Sequence, residues 1–277
     1  KDILTDSGGF QGWSIPNRFN DDGIEFKNIY DGSKFFMDPK LSMDIQQTLN
    51  SDIAMILDSL IDINKEYDEQ LNAINTTQQW ANIARNYHTN NNQSLFGIVQ
   101  GGKHKELREK SATDMMTIDF DGYAIGGLAI GETPEERKEI VNFTVEMLPK
   151  DKLRYVMGLG DIEGMLELIE LGVDIFDCVW PARLARHGKI INKGKFLNLK
   201  NSKYKKDTDP LVVGCRCFVC LNFSKAYLRH LLTNEPTSAW FYLTLHNIIQ
   251  TENILNEVKK SILNSEFDKY KESILNG

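Results

Sequence analysis

Four residues in the last third of the chain have the makings of a metal centre. Cys215, Cys217 and Cys220 form a Cys-x-Cys-x2-Cys run, and His246 follows on an apolar, helix-like stretch. Thiolates with a neutral imidazole are the ligand set that tetrahedral zinc prefers, and four protein ligands without a carboxylate describe a closed structural site. The spacing therefore predicts one structural Zn2+ per chain. Disulfides fit less well. A Cys-x-Cys bridge is strained, and nothing near the N-terminus has the pattern of a signal peptide, so a reducing, cytoplasmic setting is expected. The remaining cysteine, Cys178, stands beside Asp177 and reads as a small buried residue.

A second group of polar residues follows short apolar runs. The runs are Asp2–Thr5, Asp52–Leu57, Leu95–Val99, Gly122–Ile125, Arg154–Met157 and Val173–Val179. Behind or within them come Asp6, Asp58, Gln100, the pair Gly126-Gly127 and Asp177. One such aspartate is usually a helix cap or a turn residue. Three on successive units, among glycine pairs that let a ligand approach the backbone, point instead to acid/base or nucleophilic chemistry on a planar, hydrogen-bonding ligand.

The elements that must position these groups are β/α units. The runs are rich in β-branched residues and alternate with stretches of helical period. Asp38-Pro39 opens one helix, Thr133-Pro134-Glu135-Glu136 is a capping box, and Gly172 closes Asp161–Leu171. The segment 64–92 is asparagine-rich but periodic and reads as helix. Six strands with polar C-terminal ends predict an α/β fold of the (β/α) barrel type, and a further pair of strands is placed in Gly188–Leu199. Residues 1–200 form the expected catalytic barrel region, taken as N-terminally incomplete, and 201–277 a zinc-binding subdomain with C-terminal helices. Ile254, Leu255, Val258, Ile262, Leu263 and Phe267 predict one amphipathic terminal helix.

Across 277 residues the formal charge is −7, with 41% hydrophobic content and no apolar run able to span a bilayer. The charge is uneven. Arg183 to Lys206 contains nine cations and no acid, interleaved with His187, Phe196 and Tyr204, which suits tracking along a phosphate backbone.

Six motifs carry a family resemblance: TDSGGFQ at Thr5–Gln11, FGIVQGG at Phe96–Gly102, GYAIGGLAIGE at Gly122–Glu132, YVMGLG at Tyr155–Gly160, GVDIFDCVWPAR at Gly172–Arg183, and the Cys-x-Cys-x2-Cys…His set. In order and spacing they resemble the tRNA-guanine transglycosylase family of the queuosine pathway. The resemblance implies an irregular (β/α)8 TIM barrel with a zinc-binding subdomain and no nucleotide cofactor. It also implies base exchange by double displacement at the ribose C1′ of the anticodon wobble nucleotide. Asp177 matches the nucleophile and Asp6 the general acid/base. Asp58 and Gln100 match residues that read the base edge, helped by the backbones of Gly127 and Leu128, while Phe10 and Met157 match the side chains that sandwich the ring. Arg183 and Arg186 match anticodon-loop contacts. The implied partners are a tRNA anticodon loop, a 7-deazaguanine base and a second copy of the chain, or a non-catalytic paralogue if the source is eukaryotic.

The chain departs from the family pattern in three loops. Gly12-Trp13-Ser14-Ile15 follows TDSGGFQ, Ser59-Leu60-Ile61-Asp62 follows Asp58, and VWPAR replaces the usual V-x-P-T-R. None removes a carboxylate. Ile130 is bulkier than the glycine of queuine-accepting enzymes, which favours 7-aminomethyl-7-deazaguanine as the incoming base.

Overall fold

The computed structural model describes every residue except Lys1, Pro16, Ile29 and Gly277. The chain divides into two compact units: residues 1–159 with 167–177, and residues 160–166 with 178–277.

The first unit is built on six parallel strands, β1 (Leu4–Thr5), β5 (Ile53–Met55), β6 (Ser94–Val99), β7 (Gly122–Ile125), β8 (Leu153–Val156) and β9 (Ile175–Phe176). Each pairs with the next in sequence, so the order β1-β5-β6-β7-β8-β9 never reverses. A doubly wound sheet would reverse at a switch point; this sheet winds one way and curls into a half-barrel of the TIM-like kind. Helices α2 (Pro39–Leu49), α3 (Tyr67–Tyr87), α4 (Lys105–Ile118), α5 (Pro134–Met147) and α6 (Ile162–Glu170) alternate with these strands. Their ends follow the predicted punctuation. Asp38 Oδ1 accepts from Leu41 N at 2.7 Å, Thr133 and Glu136 close a reciprocal capping box, and Gly172 adopts φ +95° behind α6. The strands are apolar on both faces because one lines the barrel interior and the other meets helices. Ile56, Leu95, Ile98, Val99, Ala124, Ile125 and Val156 are all fully buried.

One element is not anticipated by the sequence reading. After the short helix α1 (Gly9–Ser14), strands β2 (Asn17–Asn20), β3 (Gly23–Lys27) and β4 (Lys34–Met37) form a separate antiparallel sheet. Ile24 of β3 packs with Leu57 and Trp80, and the Trp80 indole N–H donates to Asp21 O at 2.8 Å.

The second unit holds α7 (Trp180–Arg186), the hairpin β10 (Lys189–Asn192) and β11 (Lys195–Asn198), then α8 (Phe218–Asn222), α9 (Lys225–Asn234), α10 (Pro236–Leu263) and α11 (Phe267–Asn276). Two expectations are corrected here. The strands in Gly188–Leu199 do not join the barrel; they pair antiparallel in a sheet of their own. Their connection, Lys193-Gly194, has φ +49° and +86°, the both-positive pattern of a two-residue turn whose twist suits a tight hairpin. The predicted terminal helix is also two helices, because α10 stops at Leu263 and Ser265 takes φ +58° before α11 begins at Phe267. Ile254 and Val258 of the predicted stripe are buried, whereas Leu263 is 84% exposed.

Asn247 explains why the hairpin belongs to this unit. Fully buried on α10, it accepts from Ile191 N at 2.9 Å and donates to Pro181 O at 3.0 Å and Lys189 O at 3.1 Å. One amide thus ties α7 and β10 to α10 within the second unit.

Candidate functional site

The carboxylates of the first unit gather at the C-terminal ends of its strands, where a barrel places its chemistry. Asp6 follows β1, Asp58 follows β5, Gln100 follows β6, and Asp177 directly follows β9. Gln100 donates from Nε2 to Asp58 Oδ2 at 2.6 Å, and these side chains are only 5% and 4% exposed. Glycines leave the room that this pair needs. A Cβ at Gly9 would strike the Asp58 carboxylate, and one at Gly127, where φ is +70°, would lie 2.6 Å from Gln100 Oε1. The buried backbone of Gly127 and Leu128 lies beside the pair.

Asp177 is held in a different way. Its Oδ1 accepts from the Tyr155 hydroxyl at 2.5 Å and from Gly158 N at 2.6 Å. Both donors meet one oxygen, which orients the group, and Oδ2 has no hydrogen-bond partner among the described residues. Tyr155 was not singled out in the sequence, although a signal existed. It shares strand parity with Met157, and its register partner is Ile175, two residues before Asp177. Burial, reinforced by the hydrogen bond to Asp177, pushes the Tyr155 phenol upward, so it is a neutral donor at any physiological pH.

The carboxylates feel one another. Desolvation raises Asp6 first; the Ser7 N–H opposes this and the charge of Asp177 adds to it. By surface area Asp6 is an exposed residue. Asp58 is pushed up to about 7 by burial, then by the charge of Asp6, with the Gln100 hydrogen bond pulling back. Carboxyl groups whose proton affinity is raised by burial are the raw material of acid/base catalysis.

Phe10 is 49% exposed on α1, with its ring 5.7 Å from that of Trp13, and Met157 is half-buried just past β8. Glu132, also unassigned from sequence, buttresses the turn after Leu128. It accepts from Ala129 N at 2.7 Å and Ile130 N at 3.2 Å and pairs with Arg137 at 2.9 Å. Burial would raise its pKa, but the Arg137 and Ala129 donors outweigh that and hold it below the usual carboxylate range.

In the second unit the predicted metal ligands converge. The ligand atoms of Cys215, Cys217, Cys220 and His246 all lie within 4.8 Å of one another, and His246 Nδ1 is 3.4 Å from the sulfurs of both Cys217 and Cys220. Tetrahedral zinc with ordinary bond lengths requires about 3.6 Å between sulfur and nitrogen, so the group fits that ion. His246 Nε2 lies 3.0 Å from Ile191 O, an acceptor that places the proton there and turns Nδ1 to the metal. Burial keeps the imidazole neutral and raises the Cys217 and Cys220 thiols, so a cation is needed for thiolates to persist. Cys215 accepts from Gln250 Nε2 at 3.3 Å. Bound zinc would have four protein ligands and serve as a structural cross-link among the Cys run, α8 and α10.

Arg183 and Arg186 lie exposed in the last turn of α7, and Lys203, Lys205 and Lys206 stand in the 3-10 turn Ser202–Lys206. Cys178 is half-buried and donates to Gly160 O at 3.3 Å.

A family model described as Queuine tRNA-ribosyltransferase matches residues 1–277. The chain belongs to the queuine tRNA-ribosyltransferase family. Its members are transglycosylases of the pentosyltransferase class. Relatives bearing that name include proteins from Dictyoglomus turgidum, 41% identical over 99% of this chain and 72% of the relative, and from Thermotoga maritima, 43% identical over 99% and 74%. One from Streptococcus agalactiae is 40% identical over 99% of this chain and 73% of its own length. Among the described residues no helix is long and apolar enough to cross a membrane.

Proposed function

We propose that this family member exchanges guanine at the tRNA wobble position for a 7-deazaguanine by double displacement through a covalent Asp177–ribose intermediate. The observation that carries the reading is the state of Asp177. Its Oδ1 is fixed by Tyr155 and Gly158, its Oδ2 has no partner among the described residues, and its charge is felt by Asp6. Asp177 Oδ2 attacks the anomeric carbon as the bond to guanine breaks, and Asp6, with its proton affinity raised, delivers the proton that the leaving base needs. The incoming base then gives a proton to Asp6 and displaces Asp177, and two inversions return the original configuration.

Asp58 and Gln100 read the N–H edge of the base, the backbone at Gly127 and Leu128 supplies further contacts, and Phe10 and Met157 cover its faces. Stacking on such side chains contributes about 1–3 kcal/mol per base, which helps hold a flipped-out nucleotide. Ile130 narrows the pocket toward 7-aminomethyl-7-deazaguanine over queuine. Arg183, Arg186 and the following lysines engage anticodon-loop phosphates. Zinc is structural, and four free cysteines suit a reducing cytoplasm. A homodimer is favoured by the aromatic surface of the second unit. Phe218, Leu221 and Phe241 are 54%, 68% and 66% exposed there, and Phe218 meets the ring of Phe223, which stacks on Tyr227.

Exchange of radiolabelled guanine into an anticodon stem-loop tests the reading. The wild-type protein should incorporate label and Asp177→Asn should not; a variant as active as wild type would overturn it.

A further inference from the structure

Arg108 is the most deeply buried charged side chain described in the first unit, and the proposed chemistry leaves it without a role. It lies on the first turns of α4 and is 1% exposed, and among the described residues it has no ion-pair partner. Its charge is met by backbone carbonyls. Nε donates to Gly102 O at 2.9 Å, and Nη1 donates to Gly126 O at 3.0 Å and Val99 O at 3.3 Å. These carbonyls flank the pocket residues. Val99 ends β6 just before Gln100, Gly102 closes the same turn, and Gly126 ends β7 just before Gly127 and Leu128.

We propose that Arg108 is a positioning residue of the base pocket, its planar guanidinium locking the turns after β6 and β7 so that Gln100, Gly127 and Leu128 present their hydrogen-bonding groups in one fixed arrangement. The proposal rests on the base-exchange reading, since it gives Arg108 its effect through the base-reading residues.

Three features support it. The contacts join two different turns, so one side chain sets their separation. Gln100 N also donates to Ser111 Oγ at 3.1 Å, one turn further along α4, so the same helix holds Gln100 itself and the residue before it. Finally, Arg108 is a poor choice for stability alone. Among the described residues its buried Nη2 has no partner, a loss that an apolar side chain would avoid. That idle donor lies close to Gly127, where a Cβ would stand 3.5 Å from it. A fork of donors in a fixed plane is what arginine offers and lysine does not.

Arg154 supplies a matched control. It too is buried with an unpartnered nitrogen, Nε, and it too donates to carbonyls, those of Gly172 at 3.3 Å and Leu148 at 3.0 Å. Its contacts lie at the opposite ends of the strands, away from the base-reading residues.

The experiment compares Arg108→Lys with Arg154→Lys in the full chain. Guanine affinity is measured by calorimetry, stem-loop affinity by fluorescence anisotropy, and Tm by calorimetric scanning. Arg108→Lys should weaken guanine binding about tenfold, from the loss of one to two hydrogen bonds, with stem-loop affinity unchanged. Arg154→Lys should lower Tm without changing guanine affinity. Equal guanine affinity in wild type and Arg108→Lys would overturn the proposal, as would an equal loss in both variants. Should lysine prevent folding, Arg108→Gln is read by the same comparison. A wild-type protein that neither exchanges nor binds guanine would sink the base-exchange reading, a result distinct from either of these.

Discussion

Replacing Asp58 by asparagine separates the two effects of its buried carboxyl group. The structure puts this carboxyl's pKa at about 7, with burial as the main cause and the charge of Asp6 as the second. An aspartate in the unfolded chain titrates near 4, so the difference is about 3 pH units at ~1.4 kcal/mol each, or about 4 kcal/mol. The sign follows from proton counting. Between pH 4 and 7 the folded protein holds a proton that the unfolded chain has released, so this group's contribution to stability falls as pH rises through that window. Above it, the full penalty of a buried charge remains. Asparagine removes the titration. Urea denaturation of wild type and Asp58→Asn across pH 4–8 should show the variant gaining up to about 4 kcal/mol relative to wild type as pH rises, with the gain levelling off near pH 7. The same substitution removes an anionic acceptor for the N–H edge of the base. Guanine affinity should fall at least thirtyfold, corresponding to about 2 kcal/mol for a hydrogen bond to a charged group. Stability curves that run parallel for the two proteins, or an unchanged guanine affinity, would refute the account of Asp58.

Two further outcomes are expected. Tyr155→Phe removes one of the two donors that orient Asp177, so kcat for base exchange should drop by about tenfold while guanine affinity stays at its wild-type value; a matching loss of affinity would show that Tyr155 supports the pocket in general. Removing the metal with a chelator should lower the melting temperature and stem-loop affinity together, with one equivalent of zinc detected by elemental analysis before treatment and none after. A chelated protein with unchanged Tm, or protein as purified that carries no zinc, would contradict the structural role of the Cys215–Cys217–Cys220–His246 group.

Much of this architecture can be read from local patterns. All six parallel strands overlap the apolar runs, and the helix starts at Asp38 and Thr133 match because caps depend on a few adjacent residues. The Cys-x-Cys-x2-Cys spacing with His246 locates the metal ligands because zinc geometry constrains sequence spacing within one small unit. What the sequence hides is decided at longer range. Lys189–Asn198 has strand character, but its place outside the parallel sheet is set by Asn247, more than fifty residues away. Gly23–Lys27 alternates, but the apolar side of the β2–β4 sheet is covered by Leu57 and Trp80, which no local window contains. Asp6, Asp58, Gln100 and Asp177 were visible as strand-end residues, but Tyr155, Glu132 and Arg108 were not singled out. Tyr155 and Arg108 act on partners from another turn or element, Glu132 acts within its own turn, and buried tyrosines and arginines look like core residues until their hydrogen bonds are known.

A bond between Asp177 and the ribose can be caught by intact mass spectrometry. Protein mixed with an anticodon stem-loop is quenched in acid and examined under denaturing conditions. The account predicts a species equal in mass to protein plus stem-loop less guanine, linked through the peptide that contains Asp177 and absent from Asp177→Asn. Efficient guanine exchange with the adduct on a different residue, or with Asp177→Asn still forming it, would contradict the account.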